Sequence, residues 1–188
     1  MSRSFSPLPG LHLFKTERFR DERGWFEASY LKTDVDAVLD TPVTFVQDNH
    51  SQSARGVIRG LHLQRAPFCQ GKLVRVMRGV IYDVCVDLRL GSATRGQWFG
   101  AELREGDGQQ LWIPPGFAHG FQTLSDVSEV LYKTTAGYAP HVELVVRWDD
   151  PTLAIVWPYV PSALSAKDQS GLTIASALSL LDEESGLP

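Results

Sequence analysis

The chain has 188 residues, with 18 Lys and Arg against 22 Asp and Glu and a formal net charge of -4. Its length suits one domain, spanning 1–188, with a sizeable core, and its 43% hydrophobic and 21% charged fractions exclude a disordered or fibrous chain. No run approaches the about 18 apolar residues of a membrane span, the opening Met-Ser-Arg-Ser-Phe-Ser-Pro lacks a signal-peptide core, and an acidic chain with no basic block is a poor nucleic-acid binder.

In chain order, residues 33–39 offer one short turn of helix. The first clear strand is 43–48, and 57–64 follows after a Ser-rich turn. Strands then read at 72–77, 80–88, 97–103, 110–113, 119–124, 127–134 and 144–148. Within 80–88, Ile81, Asp83, Cys85 and Asp87 share one face, and Tyr82, Val84 and Val86 share the other. Turn residues recur roughly every ten positions, as at Gly91-Ser92, Gly106-Asp107-Gly108 and Pro114-Pro115-Gly116. Many short strands at that spacing predict an all-β sandwich or barrel. In the tail, 165–183, Ser165-Ala-Lys-Asp168 resembles a capping box, and Ile174, Leu178 and Leu181 form a stripe at helical spacing. A helix is predicted there. Two cysteines, Cys69 and Cys85, are too few for a disulfide framework and read as reduced residues in strands. With no signal segment, they point to the cytoplasm.

Several polar residues sit in strands expected to be central: Gln47, Asn49, Arg59, His62, Lys72, Asp83, His119, Tyr132 and Glu143. Each alone has a bland reading as a satisfied histidine, a solvated cation or a rim tyrosine. Together they give the barrel a polar interior, which is costly unless it binds something. A small anionic ligand needs only a few well-placed Arg or Lys. Ile113-Pro-Pro-Gly-Phe-Ala-His119 matches the P-x-G-x-x-H element of cupin barrels. A cupin metal site also needs an His-x-His pair, and here Leu61-His62-Leu63-Gln64 puts Gln in the second place. Three metal ligands are therefore not evident. Nucleophile elbows, Gly-rich dinucleotide loops and Walker motifs are absent.

The blocks Gln47-Asp-Asn-His-Ser51, Gly56-Val-Ile-Arg-Gly-Leu-His-Leu-Gln64, Gln70-Gly-Lys-Leu-Val-Arg75, Asp83-Val-Cys-Val-Asp-Leu-Arg89, Leu111-Trp-Ile-Pro-Pro-Gly-Phe-Ala-His-Gly-Phe121 and Tyr132-Lys133 resemble the dTDP-4-dehydrorhamnose 3,5-epimerase family, from about Phe14 to Asp168. The resemblance implies a cupin-type jelly-roll β-barrel with a few short helices, a homodimer that exchanges N-terminal strands, and independence from metals and organic cofactors. It implies a dTDP-linked 4-keto-6-deoxyhexose as substrate. The ketone at C4 acidifies the protons on C3 and C5, and inversion needs a base on one face and an acid on the other. By resemblance His62 is the base, Asp168 its partner, Lys72 the cation at the enolate oxygen, and Tyr132 the proton donor. Arg23 and Arg59 resemble the diphosphate clamps, a task suited to guanidinium. Gln47, Asn49, His119, Glu143 and Lys167 resemble the sugar and nucleotide contacts, and Phe26 and Tyr138 would flank the thymine. Asp83 fits either a pocket-lining acid or a buried structural one.

Two departures bear on recognition. The family has an acid at position 28, and this chain has Ala28, with Glu27 one place early and so facing the other way in a strand. The stretch Ala136-Gly137-Tyr138 also lacks one aromatic. The second loss fits a single-centre epimerase of a related nucleotide sugar as an alternative. A sugar-binding cupin without catalysis is the reading from another class.

Overall fold

A computed structural model describes residues 2–39 and 41–185. Four short strands open it: β1 (Ser2–Phe5), β2 (His12–Lys15), β3 (Phe19–Asp21) and β4 (Gly24–Phe26), followed by helix α1 (Lys32–Asp36). The central strands are β5 (Gln47–Ala54), β6 (Ile58–Gln64), β7 (Lys72–Arg78) and β8 (Val80–Asp87). Then come β9 (Trp98–Arg104), β10 (Gln109–Ile113), β11 (Phe117–Thr123), β12 (Val127–Thr134) and β13 (Glu143–Val145). Helices α2 (Ala166–Gln169) and α3 (Ile174–Ser185) close the described chain. None of these helices is long and apolar enough to cross a membrane.

The strands form a six-stranded sheet in the order β1-β2-β10-β7-β12-β5 and a five-stranded sheet in the order β13-β6-β11-β8-β9, with β3–β4 as a separate hairpin. Pairing within the two large sheets is antiparallel. Their inner faces supply the core. Val74, Val76, Leu111, Ile113 and Val130 from the first sheet meet Ile81, Cys85, Leu103, Phe117 and Phe121 from the second. Val84 and Val86 point the other way, as the alternation predicts, and are covered by Ile174 and Ala177 of α3. Trp112, Leu73 and Phe14 on the outer face of the six-stranded sheet are covered by Val35 of α1 and by Leu39. This is the all-β architecture that the turn spacing predicts, in the cupin-type jelly-roll form that the resemblance implies.

The structure departs from the sequence reading at four places. Strands β1 to β4 precede the first strand read from the pattern. The strand expected at 43–48 runs instead over Gln47–Ala54, and the Ser-rich stretch taken for a turn lies inside it. All eight of its residues pair with β12, while Phe45 turns aside to pack on Trp112. The tail helix is broken in two where Gly171 passes too close to Val146 and Arg147, just after β13, for any side chain. A Cβ there would lie 2.7 Å from the Arg147 nitrogen, and Leu172 exchanges backbone hydrogen bonds with Val145 and Arg147. Cys85 sits buried in β8, but Cys69 lies in an exposed turn after β6.

One contact orients the rest. Strands β6 and β11 touch backbone to backbone at Gly60 and Gly120. A Cβ on Gly60 would meet the Gly120 Cα at 2.4 Å, and Gly60 has φ +127, in the region that favours glycine. The register slips by one here: His119 pairs with His62, but Phe121 pairs with Arg59. In a regular strand Arg59 and His62, an odd number of positions apart, would face opposite sides. The slip brings both to one cavity. Replacing Gly60 by Ala will therefore destabilise the protein by roughly 3 kcal/mol or more through overpacking and backbone strain. Thermal unfolding should shift down by about 6–12 °C. An unchanged midpoint would show that this approach does not limit the fold.

Candidate active site

A cavity of about 560 Å³ opens between the two sheets near β6, β7, β11 and β12. Its walls carry every candidate side chain named from the sequence except Arg23, Phe26 and Asp83.

The floor is built by β6 and α2. His62 Nε2 lies 2.5 Å from Asp168 Oδ1. Asp168 is buried, and burial opposes its ionisation. The bonds from His62 and from Ser165 outweigh that cost and hold its carboxyl below the usual range. Ser165 sets the acid in place as the N-cap of α2, its Oγ accepting from the Asp168 N–H at 3.3 Å. The sequence marked this cap correctly, although α2 has only four residues.

Lys72 opens β7, and its Nζ donates to the His62 carbonyl at 3.3 Å. It is 8% exposed, and burial pulls its pKa down to about 8 against the attraction of Asp83 and Glu143. Tyr132 comes from β12 of the six-stranded sheet, whereas His62 comes from β6 of the five-stranded one. The phenol and the imidazole thus enter from opposite walls. Burial raises the phenol's pKa. His119, the cross-strand neighbour of His62, points Nε2 at both oxygens of Asp83, 3.0 and 2.9 Å away. Asp83 is fully buried behind this ring and does not line the cavity. Of its two readings, it takes the structural one.

The rim is polar. Arg59 is tethered by Nε to Ser53 Oγ at 2.8 Å and by Nη2 to the Gln52 carbonyl at 3.0 Å. Gln47 donates to Asn49 Oδ1 at 2.7 Å and accepts from the Tyr138 N–H at 3.2 Å. Glu143 accepts from the Tyr138 hydroxyl at 3.2 Å and takes both carboxylate oxygens to Lys167, at 2.8 and 2.9 Å. Desolvation opposes the charge on Lys167, and the Glu143 bonds overcome it, leaving its pKa raised.

Gln64, standing where a cupin's second histidine would be, spends its amide on structure. It donates to the carbonyls of Phe68 and Gly137 and accepts from the Ala139 N–H at 2.8 Å. Among the described residues no three His, Cys, Asp or Glu side chains converge as metal ligands. Ser51, Gln70 and the segment Ala163-Leu164-Ser165 also line the cavity, and the sequence reading missed them as site residues. Ser51 follows the alternation of Gln47 and Asn49 on β5, which was the available signal. Ala163 and Leu164 lie in coil and carry none.

Arg23 and Phe26 correct the sequence reading for a single chain. They sit on the β3–β4 hairpin, away from this cavity, with Phe26 68% exposed and Arg23 paired only to Asp21 of the same hairpin. Glu27, just beyond the hairpin, is sealed in the body. It lies 2.6 Å from Arg18 Nε and 2.6 Å from Arg75 Nη2, and Arg18 stacks over Trp25 at 3.9 Å. Burial works against the Glu27 charge, and the two guanidinium groups more than offset it, lowering its pKa. This acid does not face the cavity.

A family model described as dTDP-4-dehydrorhamnose 3,5-epimerase matches residues 6–176. A dTDP-4-dehydrorhamnose 3,5-epimerase of Pseudomonas aeruginosa is 50% identical over 171 residues, covering 90% of this chain and 94% of that protein. A Streptomyces niveus protein named dTDP-4-dehydrorhamnose 3-epimerase is 36% identical over 170 residues, with 90% and 82% covered. Among solved structures, a dTDP-6-deoxy-D-glucose-3,5-epimerase from Legionella pneumophila, in complex with dTDP-4-keto-L-rhamnose, superposes with a TM-score of 0.89 at 41% identity, covering 97% of this chain and 95% of that one.

The depressed pKa of Lys72 has a consequence for stability. Between about 8 and the ordinary lysine value of 10.5 the unfolded chain holds a proton that the folded chain lacks, so this group's contribution improves as pH rises through that window. At neutral pH it is a liability. Lys72→Met will raise the unfolding temperature at pH 7 by about 2–6 °C, and the gain will shrink toward pH 10. Unfolding followed by circular dichroism across that range checks this. A variant less stable than the parent at pH 7 would contradict it.

Proposed function

The chain belongs to the dTDP-4-dehydrorhamnose 3,5-epimerase family, and from that membership and the cavity's geometry we propose that it inverts C3 and C5 of dTDP-4-dehydro-6-deoxy-D-glucose, in the biosynthesis of dTDP-rhamnose or a related deoxysugar. The observation that carries the reading is the pairing of His62 with Asp168 on one wall and Tyr132 on the other. A stereocentre inverts when one face loses a proton and the opposite face gains one. His62 takes the proton next to the C4 ketone. The electron pair moves into the C3–C4 or C4–C5 bond, and the ketone oxygen becomes an enolate. Asp168 keeps the imidazole oriented and stabilises the imidazolium. Lys72, charged below pH about 8, stands at the enolate oxygen. The enolate collapses by taking a proton from Tyr132 on the far face, with the phenol's high pKa offset by proximity and by Lys72. The side chains supply each of these steps, with no cofactor invoked.

Arg59 grips the diphosphate, and Gln47, Asn49, His119, Glu143, Lys167 and Tyr138 hold sugar and base. Arg23 and Phe26 complete the site from a second copy in a homodimer. Two features support this. The β3–β4 hairpin exposes Phe19, Trp25 and Phe26 together, and β5 ends its sheet beside the cavity, with no strand on its outer edge among the described residues. The enzyme works in the cytoplasm. The 36% identity to a 3-epimerase favours a second reading, inversion at C3 alone; the 50% identity to a 3,5-epimerase places the double reaction first.

Proton NMR in deuterated water with dTDP-4-dehydro-6-deoxyglucose tests the activity. Loss of both the C3 and C5 proton signals is expected. Loss of one alone establishes the single-centre reading, and loss of neither from folded protein refutes both. His62→Ala should lower kcat by about 10²–10⁴-fold. Tyr132→Phe should still wash out substrate protons while inverting poorly. Activity should fall as pH rises past about 8, where Lys72 loses its charge. For the dimer, His62→Ala and Arg23→Ala proteins, each impaired alone, should regain activity when refolded together. No recovery would assign Arg23 no place in a partner's site.

A further inference from the structure

Gln122 lies on β11 with its side chain fully buried, outside the cavity and apart from every residue assigned above. A buried amide must spend its donors and its acceptor. Gln122 spends them on one distant residue. Its Nε2 donates to the Tyr159 carbonyl at 2.8 Å, and its Oε1 accepts from the Tyr159 N–H at 2.9 Å; a longer contact of 3.4 Å reaches the Gly56 carbonyl. The side chain thus copies the two hydrogen bonds of a strand neighbour for a segment that has no strand.

That segment, residues 154–165, crosses from β13 to α2 without helix or ladder. Its outer side gains little from burial, since Val156 is 75% and Val160 90% exposed. Trp157 anchors the near end through its indole N–H to the Trp148 carbonyl at 2.8 Å. Beyond Trp157 the strap is held by polar ties. Ser162 N–H donates to the Gly56 carbonyl at 3.1 Å, Ser162 Oγ to the Arg55 carbonyl at 2.7 Å, and Ile58 N–H to the Ala163 carbonyl at 3.3 Å. Immediately after these ties come Ala163, Leu164 and Ser165 in the cavity wall, then the cap of α2, then Asp168. A four-residue helix cannot fix its own position. The placement of Asp168 against His62, at 2.5 Å, therefore comes from what flanks α2: the strap before it and, behind it, the backbone hydrogen bonds of Leu172 with Val145 and Arg147.

We propose that Gln122 is a positioning residue, which pins the strap at Tyr159 and through it sets Asp168 on His62. The inference rests on the epimerase reading for its activity readout, but its second readout does not. Gln122→Leu keeps the volume and removes the clamp. Its kcat for proton exchange should fall by about 10- to 100-fold, with a smaller rise in KM. The far-downfield imidazole N–H proton of the His62–Asp168 pair, identified by its loss in His62→Ala, should vanish or move upfield. Val130→Ala, a core truncation between the sheets, serves as the control for lost stability. It should lower the unfolding temperature and leave that proton signal in place. Should Gln122→Leu fail to fold, Ser162→Ala removes the neighbouring tie and should show the same pattern at about threefold. A folded Gln122→Leu protein with the parent's kcat and an unmoved imidazole signal overturns the proposal. A parent that exchanges no substrate protons would sink the epimerase reading, and the imidazole signal would still decide the role of Gln122.

Discussion

The contact between β6 and β11 at Gly60 and Gly120 is the constraint on which the site depends. Two glycines let the backbones meet where side chains would hold them apart. The one-residue slip that accompanies the contact changes which residues face inward. Arg59 and His62 gain a common side, and His62 gains His119 as its direct cross-strand neighbour. Each histidine is then backed by an aspartate from another element, Asp168 of α2 or Asp83 of β8. Two imidazoles side by side, each with its own acid behind it, give the cavity a row of oriented polar groups on an otherwise apolar sheet.

That arrangement works against folding in the usual sense. Lys72, Asp83 and Asp168 are all nearly sealed from water, and an isolated buried charge costs several kcal/mol. The cost is offset unevenly. Asp168 has its imidazole and its cap, and Asp83 has an imidazole at both oxygens. Lys72 has one backbone carbonyl, and its lowered pKa records the shortfall. Perturbed titration in a cleft is a mark of a working site rather than of a scaffold. The Arg18–Glu27–Arg75 group is the contrast. Its carboxylate is buried too, but two guanidinium groups meet it, and it ties the root of the β3–β4 hairpin to β7.

Much of this was legible from residue order. Alternation in 80–88 separated the inner face of β8 from the outer, and the turn residues delimited the central strands. Apart from Asp83, the polar residues that broke the apolar pattern line the cavity. What could not be read came from long-range pairing. Gln47–Ala54 has a polar, serine-rich sequence and is a strand because β12 pairs with all of it. The break between α2 and α3 follows from the passage of Gly171 against Val146 and Arg147, which no local propensity signals. Arg23 and Phe26 were named by resemblance, yet a single chain leaves them on an exposed hairpin.

The His62–Asp168 pair also carries a consequence in time. Its partners lie 106 residues apart, and every strand of the two sheets has been made before Asp168 is added to the growing chain. On a ribosome the strands of both sheets can therefore emerge and pair before Asp168 does. At that stage the cavity would lack the wall that Ala163, Leu164 and Ser165 supply, and His62 would have no acid beside it. The His62–Asp168 pair can form only after Asp168 has emerged and the strap has settled across β6 and β11.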